Sequence, residues 1–301
     1  MSATRRDLTR RLWLLLVLGA TTTVVLFSAY RGVHDDSVPL VSSSTPGILA
    51  VDTAKNALQR AHEAVDGSGP QGDATGEFHT QISVAHQSIA LAASENVTGP
   101  SDRHTLQTVT GLITVYSAWV ERAGKEPNTS LRDAYLHYAL QGRNDILDRL
   151  DELRNEQLNV ARKQAAFPWP LWLGWSAVLV LCLALCVALM EAQRFARRRF
   201  RSAVHPSLLA ATVLCVTGVA ALGWFTLRAH TAMADSLAAL SETRAADDIP
   251  EVGADVEGYM ANAGFWASLS DWVLIGGVLL MALTVVGLWP RLSEYRFKVP
   301  R

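Results

Sequence analysis

Four stretches of this chain are apolar almost without interruption, and most of what lies between them alternates apolar and polar residues at helical spacing. The apolar runs are "LWLLLVLGATTTVVLFSAY" (12–30), "LWLGWSAVLVLCLALCVALM" (171–190), "LLAATVLCVTGVAALGWFTL" (208–227) and "WVLIGGVLLMALTVVGLW" (272–289). Each is close to the roughly 20 residues that cross a bilayer as a helix. None contains Asp, Glu, Lys, Arg or His. They predict four transmembrane helices. The first follows a basic start, but its apolar core is longer than a signal peptide's and no small-x-small cleavage site follows it, so it reads as an uncleaved signal anchor.

Residues 31–170 carry the helical alternation. In "SSSTPGILAVDTAKNALQRAHEAVDGSG", Thr45 is the expected N-cap, Pro46 opens the helix and Gly67 closes it. Ile48, Val51, Leu58, Ala61 and Val65 form its apolar stripe. A second helix over about 75–97 places Phe78, Ile82, Ala85, Ile89 and Ala92 on one face, at the 4, 3, 4, 3 spacing of a bundle seam. A third, capped by Ser101 or Asp102 and running to about Ala123, repeats the pattern with Leu106, Val109, Ile113, Tyr116 and Val120. A fourth runs from near Ser130 to about Ala166, with a bend expected at Gly142 and a seam of Ile146, Leu150, Leu153 and Val160. Four amphipathic helices joined by short turns predict an antiparallel four-helix bundle. The shorter segment 228–271 predicts a helical hairpin that extends the third span, turns at "DDIP" and returns into the fourth. The expected fold is an all-α integral membrane protein: four transmembrane helices, an extracytoplasmic four-helix bundle and a second, short extracytoplasmic hairpin.

Charge orients this plan. The segments 1–11, 191–207 and 290–301 together hold 13 basic and 3 acidic residues, whereas 31–170 holds 12 basic and 17 acidic and 228–268 holds 2 basic and 7 acidic. Basic flanks stay in the cytoplasm. Both termini and the 191–207 loop are therefore expected inside, and the two acidic segments outside, at a plasma membrane. The loop contains "RFARRRFR", five arginines in eight positions (Arg194, Arg197, Arg198, Arg199 and Arg201). Its first reading is a topology anchor that also holds anionic lipid head groups, each arginine contributing about 1 kcal/mol, with Phe195 and Phe200 sinking into the interface. Its second reading is a contact for a cytoplasmic partner. A net charge of −1 and the loop's place at the membrane argue against nucleic acid.

Other chemistry is sparse. The cysteines, Cys182, Cys186 and Cys215, all lie in apolar runs, so no disulfide or cysteine-based metal site is expected in the outer segments. His62, His79, His86, His104 and His137 show no HExxH-type spacing, and solvated or groove-lining roles are expected for them. Phosphate-binding glycine motifs and a Ser–His–Asp arrangement in a suitable context are missing, and the apolar runs lack the ionisable residues that proton and ion pathways use. Neither an enzyme nor a cofactor is expected. "FPWPLWLGW" (167–175) sets an aromatic belt at the second span. Its Pro168 and Pro170 disfavour one unbroken helix from the outer segment into the membrane, which makes them a candidate hinge.

Four helices between two spans, over roughly residues 10–200, resemble the periplasmic sensor modules of bacterial chemoreceptors and histidine kinases, although no HAMP, kinase or methyl-accepting region follows the second span. The tandem plan, the Ala- and Arg-rich composition and stretches such as "QISVAHQSIALAASENV" are similar to actinobacterial four-span receptors with helical ectodomains. That resemblance implies an extracytoplasmic binding-protein partner and a separate cytoplasmic signalling protein such as a Ser/Thr kinase. It carries over no site residues. The expected function is a receptor that senses outside and signals inside, with the lipid bilayer as one partner and a homo-oligomer as an open arrangement. The alternative is a non-signalling accessory subunit of an envelope or transport complex.

Overall fold

Helix α1 (Ala3–His34) and helix α6 (Trp169–Phe200) pack side by side, and α9 (Ala263–Glu294) lies against α1. This computed structural model describes residues 3–34, 40–66, 72–95, 100–166, 169–200, 206–242 and 248–294. The remaining helices are α2 (Thr45–Asp66), α3 (Gly72–Glu95), α4 (Pro100–Lys125), α5 (Thr129–Ala165), α7 (Pro206–Glu242) and α8 (Ile249–Met260). Every regular element among the described residues is helical.

The chain divides into two compact units. One contains residues 1–36, 167–231 and 262–301, and the other contains 37–166 and 232–261.

The first unit holds the apolar helices. Among the described residues, four helical stretches are long and apolar enough to cross a membrane. Its interior is small, centred on Leu15, Leu185, Leu189, Leu208 and Ala211, with a second cluster at Leu26, Ala29, Val178 and Val273. Its outside is more apolar than a water-soluble surface tolerates: Val17, Val180, Leu183, Val213, Val278 and Val286 are all more than half exposed. Hydroxyls within these helices are satisfied locally. Thr22 donates to the Leu18 carbonyl at 2.7 Å, and Thr23 to that of Gly19 at 2.9 Å, as a low-dielectric surrounding requires. Gly277 allows the closest helix approach, since a Cβ there would sit 2.8 Å from Cβ of Thr23. At the other end of α1, the buried Tyr30 hydroxyl donates to the Trp266 carbonyl at 2.8 Å.

The second unit is built on α2–α5. Each helix packs on the next, and α2 closes the ring against α5. The three-residue link 126–128 makes α4 and α5 antiparallel neighbours. Phe78, Ile82, Ala85, Leu106, Val109 and Ile113 meet in the shared core with Ile146, Leu150 and Leu153.

Several local expectations are corrected. Thr45 is not an N-cap. A π-turn, Leu40–Ser44, precedes it, and the Thr45 hydroxyl donates back to the Leu40 carbonyl at 2.9 Å. A widened turn suits Pro46, whose ring would collide with a carbonyl four residues back. Helix α4 opens on Pro100 rather than behind a Ser101 or Asp102 cap, as a residue without an N–H can. Helix α5 is capped by Asn128, whose side chain accepts from the Ser130 and Leu131 amides, and it continues through Gly142 without interruption. Its seam continues from Leu153 to Gln157 and Ala161, both buried, leaving Val160 at the margin. A seam glutamine is invisible to a search for apolar spacing.

Residues 232–261 belong to the same compact unit as the bundle, with α8 packed on α2. Ser236, Leu240 and Val256 are fully buried there, and Gly253 lets Leu49 approach.

Candidate functional site

The basic stretch does not begin as a loop. Helix α6 continues to Phe200, so Arg194 and the backbone of Arg197, Arg198 and Arg199 belong to its last turns. Arginine and alanine are good helix formers, and nothing in "RFARRRF" breaks the helix. Arg194 is exposed. Phe195 is half-buried, and the Arg11 guanidinium lies 4.6 Å from its ring centre, so that ring is engaged by a cation from α1. The side chains of Arg197, Arg198, Arg199 and Phe200, and all of Arg201, lie outside the described residues.

The proline pair is divided in the same way. Pro168 lies outside the described residues, and Pro170 is the second residue of α6. Ala166 ends α5 in an extended conformation, φ −68° and ψ 144°, so the break between the two helices is real. The boundary between the two units falls at the same place, between Ala166 and Phe167. Trp169 and Trp172 are exposed beside it.

The bundle unit presents a cluster that no sequence motif announced. Near the α4–α5 turn, Trp119 stacks on Tyr135 at 5.6 Å and leans on Tyr138 at 5.7 Å, with the Arg122 guanidinium 5.3 Å from the Trp119 ring. Val115, Leu131 and Tyr138 are each about half exposed around it. The bundle's internal topology puts this turn at the pole opposite residues 37 and 166. Tyr, Trp and Arg are the residue types that dominate protein–protein hot spots. These residues fall off the seam spacing on α4 and α5, so only the pairing of the two helices assembles them.

Two features tie residues 232–261 to the bundle. Arg154 on α5 donates from Nε to Asp52 on α2 at 2.6 Å and from a terminal nitrogen to the Leu240 carbonyl on α7 at 3.0 Å. Lys55 and Asp151, one turn along, pair between the same two bundle helices. Asp52 is 6% exposed and its second oxygen has no partner among the described residues. Burial pushes its carboxyl above the ordinary range, and Arg154 pulls against this. Beyond this pair, Thr53, Asn56, Arg60 and Gln81 line a cavity of about 150 Å³ closed by Ile249 and Pro250 of α8.

The bundle interior also holds Tyr116, whose buried hydroxyl has no hydrogen-bond partner among the described residues and whose pKa is pushed up to about 12 by burial. His62 is held below its ordinary pKa, first by burial and then by the charge of Arg143. His79, His104 and His137 are exposed, and His86 is half-buried.

This helical segment has a known counterpart. Residues 37–166 match the family model of the actinobacterial sensor domain. The match starts and stops where the chain passes between its two units, so the family segment is the structural bundle itself. Over those residues the chain is similar to an actinobacterial sensor domain, and the same chain carries helices long and apolar enough to span a membrane. No curated protein and no solved structure matches the chain.

Proposed function

We propose that this is a plasma-membrane receptor whose outer unit engages an extracytoplasmic binding protein and whose basic inner segment signals to a separate cytoplasmic protein. The observation that carries the reading is the coincidence of the sensor-domain match with the bundle's own boundaries at residues 37 and 166. The Trp119–Tyr135–Tyr138–Arg122 cluster supports a protein as the immediate partner. It offers rigid aromatic area with little side-chain entropy to lose, at the pole away from the chain connections. The 150 Å³ cavity is below the usual ligand-site range of about 300 Å³ and upward, so a drug-sized molecule would not fit it unaltered.

Signalling requires two states that a partner distinguishes. The outer unit joins the apolar unit at four chain crossings, near residues 36, 166, 231 and 261. The crossing at 166 is the helix break with Pro168 and Pro170, and it serves as the hinge in this reading. The basic end of α6, with Arg194, Arg197, Arg198, Arg199 and Arg201, then presents the output, helped by contacts to anionic lipid.

The test is photocrosslinking in native membranes from two positions of the full chain. From Tyr138 the expected product is an extracytoplasmic solute-binding protein. From Arg194 it is a kinase or another regulatory protein, in an amount that changes with Trp119→Ala. Recovery of envelope-synthesis or permease proteins alone, with no response to Trp119→Ala, would replace the receptor with an accessory subunit.

A further inference from the structure

The chain has three cysteines, and all three meet. Cys182 and Cys186 lie four residues apart on one face of α6, and Cys215 reaches them from α7. The Cys182 and Cys215 sulfurs are 3.5 Å apart, and the three sulfurs all lie within 4.8 Å of one another. Cys182 and Cys215 are buried, and Cys186 is half-buried. A lone cysteine in a packed helix is adequately explained as a small apolar side chain. That account gives no reason for every cysteine of a 301-residue chain to converge from two helices on one point.

We propose that Cys182, Cys186 and Cys215 form a binding site for a soft monovalent metal ion of the copper(I) class. Metal–thiolate bonds of about 2.3 Å set three sulfurs around a trigonal ion about 4 Å apart. The 3.5 Å separation of Cys182 and Cys215 and the 4.8 Å bound on all three are compatible with that value. Softness selects the same ions, since thiol ligands favour copper(I) and zinc over magnesium or calcium. Ligand number and charge then separate the two. Structural zinc takes four ligands, and the apolar runs that carry these cysteines contain no His, Asp or Glu to supply a fourth. A monovalent ion is satisfied by three. It also leaves the site neutral: one thiol loses its proton, its thiolate makes the principal bond to the ion, the two remaining thiol sulfurs add weaker neutral donors, and one proton is released per ion bound. Neutrality matters because an isolated charge in a low-dielectric interior is very costly. The surroundings are suitably dry. Cys215 also lines a cavity of about 290 Å³ whose other walls are Leu185, Leu214, Val219, Leu222 and further apolar side chains, with Thr22 and Thr23 as its hydroxyls.

The experiment uses the reduced full-length protein in lipid nanodiscs, titrated anaerobically with copper(I) against a competing chelator. The expected result is one ion per chain, an all-sulfur first shell by X-ray absorption, and one proton released per ion. Replacing Cys182 or Cys215 with serine should weaken retention about tenfold or more, at least the effect of disturbing a ligand's support. The triple alanine variant should retain none while eluting as wild type does in gel filtration. No copper held by wild type overturns the proposal, as does equal retention by the triple variant. So do oxygen or nitrogen ligands in the absorption spectrum, or recovery of Cys182 and Cys215 as a disulfide from membranes alkylated at lysis. Should the triple variant not fold, the stoichiometry and ligand shell of wild type still decide.

Discussion

Replacing Arg154 with methionine should uncouple residues 232–261 from the bundle. The guanidinium makes the 2.6 Å contact to Asp52 and the 3.0 Å contact to the Leu240 carbonyl, so its loss leaves a buried carboxylate and a main-chain acceptor without it. The Asp52 and Arg154 side chains are 7% and 14% exposed, so solvent repays little. Breaking one partner of a buried pair costs about 3–5 kcal/mol. The lower end applies here, because Lys55 stands one turn from Asp52 and already moderates its charge. The Lys55–Asp151 pair itself contributes less, since Asp151 is 51% exposed. Opening of the α2–α5 contact is measurable by amide exchange on the full-length protein in nanodiscs. A loss of about 3 kcal/mol lowers protection of the affected amides by roughly a hundredfold. The pH dependence has a definite sign. The folded-state pKa of Asp52 is raised, so the stability linked to its proton is fully present below the unfolded carboxylate pKa and is lost as pH rises through the folded value. Arg154→Met raises the folded value further and widens that window, whereas the double variant Asp52→Leu/Arg154→Met removes it and restores most of the protection. A single variant with near wild-type protection at neutral pH, or a double variant no better than the single, would refute the reasoning.

Four further outcomes are expected. Ile113→Asp, at a fully buried seam position, should cost more than about 3 kcal/mol and expose the outer unit to protease in spheroplasts; unchanged resistance would mean the seam is not shared by α4 and its neighbours. Gly277→Ala should push α1 from α9, because the new methyl would fall 2.8 Å from Cβ of Thr23, lowering the melting temperature in detergent, and Thr23→Gly should recover part of the loss. His62→Gln should blunt acid sensitivity of the bundle: its folded pKa is depressed, so its contribution is present above the unfolded value and is lost as pH falls through the folded one, which helical circular dichroism can follow. Single cysteines at Ser68 and Ser202, in an otherwise cysteine-free chain, should be labelled by an impermeant reagent at the first position only; the reverse would invert the orientation.

The sequence by itself determined the helical class and the seams of the bundle helices. These are local properties: a run without ionisable groups and a 3, 4 apolar spacing record one helix and one buried face, whatever the partner. Phe78, Ile82, Ile113 and Leu150 were legible as core for that reason. Polar and irregular positions were not. Gln157 occupies a seam slot, and Asn128 rather than Ser130 marks the start of α5. Tertiary structure alone decided what requires two distant segments to meet. Arg154 finds Asp52 across 102 residues and Leu240 across 86, which joins the second outer segment to the bundle. Trp119 meets Tyr135 and Tyr138 only because α4 and α5 pair. Cys182 meets Cys215 across 33 residues, a distance no spacing rule covers. Periodicity gives the face a helix buries, but which face it is buried against depends on how the helices assemble.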